Sequence, residues 1–224
     1  MNRLIDKLKL KSITSTNYIQ DKFDELATIL LEHIIIKKGQ DMYIPRDIEF
    51  YFYSSKHMDI ITYPRNSIGG EWFFHDSGVD LSFESIIELR QDKKGTYKPY
   101  LTDSSSFGGI LIRAIDQVDN TFQIRKRILG PKNVMFELFD QFNALSTPLN
   151  FPILTECEHK LGSAKLTEKR ARHNLLPVGK DAKTKVSSII KYNYIGIDNN
   201  ISTETLIERF NEYLDAPYHY TSLD

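Results

Sequence analysis

The segment 43-YIPRDIEFYFY-53 decides the sheet of this protein, because its side chains alternate in character from residue to residue. Successive side chains of a β-strand point to opposite faces of the sheet. One face is apolar and consists of Ile48, Phe50 and Phe52. The opposite face consists of Glu49, Tyr51 and Tyr53. The segment therefore predicts a strand that covers a core with one face and presents a carboxylate beside two phenols with the other.

The elements around this strand are predicted to be a mixture of helix and strand. Apolar residues recur near the 3.6-residue spacing of a helix that Ser15 or Thr16 caps and that runs to about Ile36. Gly39 is predicted to end this helix. Three further strands, bounded by glycine or Ser-Gly turns, are predicted over 71–75, 79–83 and 109–115.

The second half of the chain is predicted to be mainly helical, with one more strand. The helical pattern resumes after Ile115, and Gly130-Pro131 marks the start of a helix. β-Branched and aromatic residues predict a strand over 188–197, and a last amphipathic helix over 203–214 follows Ser202 as its N-cap. With no repeat and no linker, the prediction is a single α/β domain of the α+β type spanning residues 1–224.

The composition is that of an ordinary globular chain, with 41% hydrophobic and 26% charged residues among 224. No apolar run approaches the roughly 20 residues that cross a bilayer, and the first residues lack a hydrophobic signal core. We therefore expect no membrane partner and a cytoplasmic location. Cys157 is the one cysteine, and the triplet Cys157-Glu158-His159 lacks metal-ligand spacing, so we expect no disulfide, metal or cofactor.

The charge is unevenly distributed although the net charge is only -1. Residues 160–191 carry nine lysines and arginines against two acidic residues. After residue 203 the charged side chains are mainly acidic. A basic segment of this density either contacts phosphates or forms a solvated face. Its candidate nucleic-acid contacts are Arg170, Arg172 and Lys183.

Several segments, taken in order, resemble the alkyladenine (3-methyladenine) DNA glycosylases. The matching segments are 23-FDELATILLEHIIIKKG-39, 49-EFY-51, 62-TYPRN-66, 70-GEWFFH-75, 110-ILIRAI-115, 130-GPKNV-134 and 191-KYNYIG-196. They correspond to the opening helix and strand of that family, its Glu-x-Tyr motif, its Thr-Pro-Arg-Asn and Gly-x-x-aromatic segments, its Val-Leu-Leu-Arg-Ala-Leu strand, its Gly-Pro-x-Lys helix start and its closing strand. The resemblance covers residues 20 to 196.

This resemblance implies a curved, mainly antiparallel sheet flanked by helices and a DNA-binding enzyme. Such enzymes flip a damaged purine out of the duplex, stack it between aromatic rings and hydrolyse its glycosidic bond with a glutamate-activated water, without a metal. By motif position, Glu49 is the catalytic glutamate, Tyr51 and His75 contact the base, and His57 is a looser match to a pocket histidine. Arg65 and Arg113 match positions that arrange the site or its DNA-facing rim.

The chain also departs from the family at two positions that bear on its substrate. The family's intercalating tyrosine falls near Ser77-Gly78, where no side chain is large enough to fill a gap in a duplex. The base-reading asparagine has no counterpart in 79-VDLSFES-85, where an ionised Asp80 would accept hydrogen bonds from the substrate. Duplex and single-stranded DNA therefore both remain possible partners.

Three classes of function remain open from the sequence. The first is an N-glycosylase that uses Glu49 on a modified purine. The second is a related fold with a different hydrolytic chemistry around His75, Asp76 and Asp80. The third is a non-catalytic protein that binds nucleic acid or another partner, because fold similarity does not fix chemistry. In this third class Glu49 is an ordinary ion-paired strand residue.

Overall fold

The computed structural model describes residues 2–10, 16–141, 150–157, 161, 168–173, 175–176 and 179–222. The helices are α1 (Asn2–Lys7), α2 (Thr16–His33), α3 (Pro131–Leu138), α4 (Ala182–Asn193) and α5 (Thr203–Leu214). The strands of the first half are β1 (Ile34–Lys38), β2 (Asp41–Ser54), β3 (His57–Met58), β4 (Trp72–His75), β5 (Gly78–Ser82), β6 (Glu88–Gln91) and β7 (Tyr97–Leu101). The remaining strands are β8 (Ser106–Val118), β9 (Ile124–Leu129), β10 (Ile153–Glu156), β11 (Glu168–Arg170), β12 (Gly196–Ile197) and β13 (His219–Thr221).

These elements form an α+β fold built on a curved antiparallel sheet, as the sequence predicts at this level of detail. The central path of the sheet runs β10, β1, β2, β8, β5, β4, and a smaller sheet contains β12, β7 and β6. Along one edge β2 pairs in turn with β1, β13 and β3, while β8 follows its other edge. The register of β2 against β8 shifts between Pro45 and Ile48, because proline has no N–H to donate to the ladder.

Two apolar clusters cover the two faces of this sheet. On one face α2 packs against the strands, and the ring of Phe23 stacks on that of Phe50 with 4.5 Å between centroids. On the other face α4 and α5 pack around Tyr53 and Phe107, whose rings are 5.2 Å apart. The alternation predicted for the strand at residues 43–53 is therefore confirmed for these core positions. Glu49 and Tyr51 lie on the same face as α4.

Three predicted elements are wrong in extent or type. The first helix ends at His33, because Ile34, Ile35 and Ile36 pair as a strand with β10 and Ile36 also pairs with β2. Gly39 forms the β1–β2 turn with φ 59°. The stretch after Ile115 continues as strand to Val118 and then forms β9.

The third error concerns residues 188–197, most of which form α4 rather than a strand. Asp181 caps this helix by accepting a hydrogen bond from the backbone N–H of Thr184. Val186 and Ile189 then lie on its buried side and pack into the second cluster, so tertiary packing outweighs the β-propensity of the segment. The helix over 203–214 and its Ser202 cap are confirmed.

None of the described helices is long and apolar enough to span a membrane.

A close approach of β2 and β8 depends on glycine at position 108. A Cβ atom on Gly108 would lie 2.2 Å from the carbonyl oxygen of Tyr51 and 2.9 Å from Cα of Phe52. We expect Gly108→Ala to lower the free energy of unfolding by at least about 2 kcal/mol, because backbone atoms must move apart to admit the methyl group. In thermal denaturation this corresponds to a decrease in Tm of roughly 4–8 °C.

The control for this prediction is Gly95→Asn in the β6–β7 turn. Gly95 has φ 81° and open space around its Cα, and asparagine tolerates this region of backbone conformation. We expect this variant to stay within about 1 kcal/mol of the wild type. An unchanged Tm for Gly108→Ala would contradict the close strand contact.

Candidate functional site

A cleft of about 520 Å³ lies between the sheet and α4. Its aromatic and basic lining includes Tyr51, Tyr63, His75, Arg113, His173 and Tyr192. The floor is set by strand register, because His219, Glu49, Leu111, Asp80 and Phe73 are paired in one row across β13, β2, β8, β5 and β4. Residues paired directly opposite one another point to the same face of a sheet. The row therefore brings two carboxylates and a histidine from distant parts of the sequence to the same side as the cleft.

Glu49 lies directly behind the cleft and has no exposed surface. Its Oε2 accepts hydrogen bonds from Tyr51 Oη at 2.7 Å and from Arg113 Nη1 at 3.1 Å. Its Oε1 accepts one from the backbone N–H of His173 at 3.0 Å. Burial, and after it the Glu49 carboxylate, raise the pKa of Tyr51 well above its usual value, so the phenol stays protonated and donates. Glu49 is thus an ion-paired carboxylate that meets the cleft through Tyr51, Arg113 and His173.

The second buried carboxylate, Asp80, is also held by a cation. Its Oδ2 accepts a hydrogen bond from Arg65 Nη2 at 2.7 Å, and its Oδ1 lies 2.9 Å from His75 Nε2. Burial alone would raise the pKa of Asp80, but Arg65 and His75 together outweigh it and hold that pKa below the ordinary value. The sequence predicts that Asp80 reads the substrate, whereas its oxygens are already occupied by protein groups.

His75 and Tyr63 form an aromatic pair on the cleft wall. Nδ1 of His75 accepts a hydrogen bond from the backbone N–H of Ser77 at 3.2 Å, while Nε2 faces Asp80, so both ring nitrogens are engaged. The ring itself lies 4.9 Å from that of Tyr63 and both residues line the cleft. His75 therefore borders the cleft with only 8% of its side chain exposed, and its predicted stacking role stays a prediction. Tyr63 is an aromatic residue of the cleft that was not predicted from the sequence.

His57 is not in the cleft, and its predicted contact with a substrate is wrong. The residue has no exposed surface, and its ring nitrogens lie 2.7 Å from the carbonyl oxygen of Phe52 and 2.8 Å from Tyr218 Oη. Burial lowers the pKa of His57, which favours the neutral ring in this apolar setting. Its role is to satisfy buried polar groups within the core beside α2.

Two of the predicted nucleic-acid contacts are buried and cannot reach phosphate. Arg172 donates to both carboxylate oxygens of Asp59 and to the carbonyls of Phe50 and Tyr213, and neither charged side chain is exposed. Arg65 is likewise enclosed, with its guanidinium 3.9 Å from the ring of Phe73. A cation that is buried in an ion pair with an aspartate is a structural element rather than a surface contact.

The other predicted cations occupy different positions. Arg170 is exposed and hydrogen bonds to Glu168, and Lys183 is exposed on α4 outside the cleft lining. Arg113 does line the cleft, but it is paired with Glu49 rather than placed on an outer rim. On α4 it is Lys185 that borders the cleft, and the sequence analysis did not single this lysine out.

The residues most clearly missed from the sequence are Asp47, His173 and His219. His219 lies opposite Glu49 in the β2–β13 pairing, and its Nε2 hydrogen bonds to Asp47. His173 precedes α4 and contacts Glu49 through its backbone. The segment around His219 has no motif that indicates pairing with β2, so only the tertiary structure reveals the contact. Of the triplet Cys157-Glu158-His159, Glu158 and His159 lie outside the described residues.

Comparison with known proteins finds no match to any protein-family model, curated protein or solved structure. The resemblance to alkyladenine glycosylases therefore remains a prediction that rests on the motifs and their order. The geometry of the cleft is consequently the main basis for a functional proposal.

The assignment of Arg172 as a core residue predicts a large effect on stability. We expect Arg172→Gln to lower the free energy of unfolding by about 3–5 kcal/mol, because Asp59 is left as a buried charge without its cation. Arg170→Gln is the matched control, and we expect it to stay within about 0.5 kcal/mol because the side chain is exposed. Urea denaturation measures both values. Equal effects of the two substitutions would contradict the buried ion pair.

The Asp80 ion pair predicts a specific dependence of stability on pH. Because the pKa of Asp80 is lower in the folded than in the unfolded protein, its contribution is present above the unfolded value of about 3.9. It is lost as the pH falls through the lower folded value. We expect the stability difference between wild type and Asp80→Asn to shrink below about pH 4. A difference that grows on acidification, measured by urea denaturation, would contradict this arrangement.

Proposed function

We propose that this protein hydrolyses the N-glycosidic bond of a modified purine, with DNA as the carrier of the base. The observation that supports the proposal is that Tyr51, His75 and Arg113 line one cleft, with Glu49 buried behind Tyr51 and Arg113. These four positions were selected from motifs on three separate strands, and two of them hydrogen bond directly to the Glu49 carboxylate. Such convergence is what an N-glycosylase requires, and an ordinary ion-paired strand residue does not need it.

The size and walls of the cleft suit a flat heterocyclic base. Its volume of about 520 Å³ lies within the range of small-molecule sites. The paired rings of Tyr63 and His75 offer a stacking surface, and Tyr192 of α4 contributes an exposed ring to the same cleft. Stacking of a base on an aromatic side chain contributes about 1–3 kcal/mol and does not depend on base identity. A base could therefore be bound mainly through its faces.

The charge pattern behind the cleft fits the chemistry of glycosidic cleavage. Positive charge develops on the sugar as the bond to the base breaks, and the carboxylate of Glu49 would stabilise that charge. Arg113 and Tyr51 orient this carboxylate through hydrogen bonds to Oε2. Oε1 accepts a hydrogen bond from the backbone N–H of His173 at 3.0 Å. The ring Nδ1 of His173 lies further from Oε1, at 3.4 Å. Water reaches Glu49 in this proposal from the Oε1 side, after the ring of His173 swings aside.

The proposed phosphate contacts come from α4 rather than from the buried arginines. Lys183 and Lys191 are exposed on this helix, and Lys185 lines the cleft. At the opposite wall the β4–β5 turn consists of Asp76 and Ser77, and Ser77, which lines the cleft, is too small to replace a base in a duplex. We therefore favour a substrate whose base is already outside a helix, such as single-stranded DNA.

The alternative of a hydrolase centred on Asp80 has less support from the geometry. Arg65 and His75 already occupy both oxygens of that carboxylate, and the Arg65 partner is itself buried.

The direct test is release of 3-methyladenine or hypoxanthine from single-stranded and double-stranded oligonucleotides. We expect wild-type release and a loss of about 10²–10⁴-fold in Glu49→Gln, because glutamine cannot accept a proton from the attacking water. Tyr51→Phe, which removes one hydrogen bond to the same carboxylate, should lose less. Glu88→Gln is the matched control, since Glu88 is exposed and pairs with Arg90 away from the cleft.

Circular dichroism and Tm must show that Glu49→Gln is folded, because the substitution removes the nearer of the two carboxylates that pair with Arg113. Wild-type release that Glu49→Gln leaves unchanged would remove Glu49 from the reaction. Absence of release by the wild type across the panel would reject the proposed function for these bases.

A further inference from the structure

An unsatisfied ring nitrogen of His219 marks a second feature beside Glu49. His219 is only 2% exposed, and its Nε2 hydrogen bonds to Oδ1 of Asp47. A carboxylate only accepts, so this contact places the proton on Nε2 and leaves Nδ1 as a lone pair in the neutral ring. Nδ1 has no hydrogen-bond partner and lies 4.0 Å from Oε1 of Glu49. The lone pair of His219 Nδ1 and the carboxylate oxygen Oε1 of Glu49 thus face each other in a buried space. This arrangement favours a cation between the two atoms.

His173 supplies a third possible ligand at the same point. Its ring Nδ1 lies 3.4 Å from Oε1 of Glu49, and its ring packs edge to face on that of His219 at 4.8 Å. Among the described residues, one ligand atom from each of Glu49, His173 and His219 falls within 4.8 Å of the others. Ligand atoms bound at 2.0–2.1 Å in a tetrahedral site are separated by about 3.4 Å. Each of the three ligand atoms therefore has to move by less than about 1 Å to bind a common ion.

We propose that Glu49, His173 and His219 bind one divalent cation of the zinc class. Two imidazoles and a carboxylate form a ligand set that suits zinc and neighbouring transition metals, whereas Mg²⁺ and Ca²⁺ prefer oxygen ligands alone. Asp47 completes the arrangement as the outer carboxylate that orients a metal-binding histidine. With neutral histidines, Asp47 and Glu49 outweigh the single charge of Arg113, so the cluster has a net charge of -1 before the ion binds.

The ion would occupy the junction between the buried cluster and the cleft. Glu49 and His219 lie behind the cleft wall, whereas the side chain of His173 is 48% exposed and lines the cleft. Three protein ligands leave a coordination position open, and such a position holds water in zinc enzymes. The sequence predicts no metal, in contrast to this site. The metal site stands apart from the proposed glycosidic chemistry and competes with it, because an ion bound at Oε1 occupies the position from which Glu49 would activate water.

The test is binding of Zn²⁺ to the full-length, metal-free protein, measured by equilibrium dialysis and elemental analysis. We expect one Zn²⁺ per chain, with Mg²⁺ not retained under the same conditions. Co²⁺ should bind at the same place and give visible absorption bands that Zn²⁺ abolishes by competition. His173→Asn and His219→Asn should each weaken Zn²⁺ binding by at least about 10-fold, and Asp47→Asn by a comparable factor.

The matched control is His33→Asn, which alters a histidine at the end of α2 that borders a different cavity with Cys157. We expect it to bind Zn²⁺ as the wild type does. No Zn²⁺ retained by the wild type at micromolar concentration, or retention that His173→Asn leaves unchanged, would overturn the proposal. Loss of Zn²⁺ binding in His33→Asn alone would also overturn the proposal, because it would place the ion in the cavity beside His33.

His219→Asn changes a buried residue and can fail to fold, so the exposed His173→Asn provides the decisive comparison. Dialysis does not measure base release, and the base-release assay can be run with and without a chelator. A protein that binds Zn²⁺ through this cluster but releases no base would reject only the proposed function. A protein that releases base but never retains Zn²⁺ would reject only the metal site.

Discussion

The burial of the Glu49 carboxylate is the constraint on which the arrangement of this site depends. An ionised carboxylate without access to water is strongly unfavourable unless cations and hydrogen-bond donors replace its hydration. Arg113 from β8, Tyr51 from β2 and the backbone before α4 provide these donors, so three parts of the chain converge on one atom group. The bond at His173 ties this segment to the sheet beside the cleft.

A second buried ion pair, between Arg172 and Asp59, holds the segment that contacts Glu49. Arg172 joins Asp59 to the backbone of β2 and of α5, and it lies 4.7 Å from the ring of Tyr51. The segment 168–173 therefore provides both the cation that neutralises Asp59 and the backbone donor that reaches Glu49. Arginine suits such a position because its fork of donors can satisfy a carboxylate and two carbonyls at once.

Much of the fold was predictable because its strands have unambiguous periodicity. The alternation of 43–53 and the capped helix over 203–214 give clear local signals, and both are confirmed. The errors at Ile34–Ile36 and at residues 188–193 arise where β-branched residues permit either state and pairing partners decide. Local sequence does not reveal which strand lies alongside which.

The site was predicted only in part for the same reason. Glu49, Tyr51, His75 and Arg113 lie within recognisable motifs, and the structure brings them together around one cleft. The burial of Arg65, Arg172 and His57 could not be predicted from charge or spacing, because it depends on partners such as Asp80 and Asp59. Likewise, the proximity of His219 to Glu49 is a consequence of strand register over 170 residues of sequence separation.

The pairing of β13 with β2 has a consequence for the order in which the molecule matures during synthesis. When β2 and β8 leave the ribosome, His173, Arg172 and His219 have not yet been made, so Glu49 and Asp59 lack part of their compensation. Both carboxylates must stay hydrated in the nascent chain, which keeps that side of the sheet open. The cleft wall that His173 and α4 provide is therefore assembled last, and Glu49 stays exposed to water in the emerging chain until then.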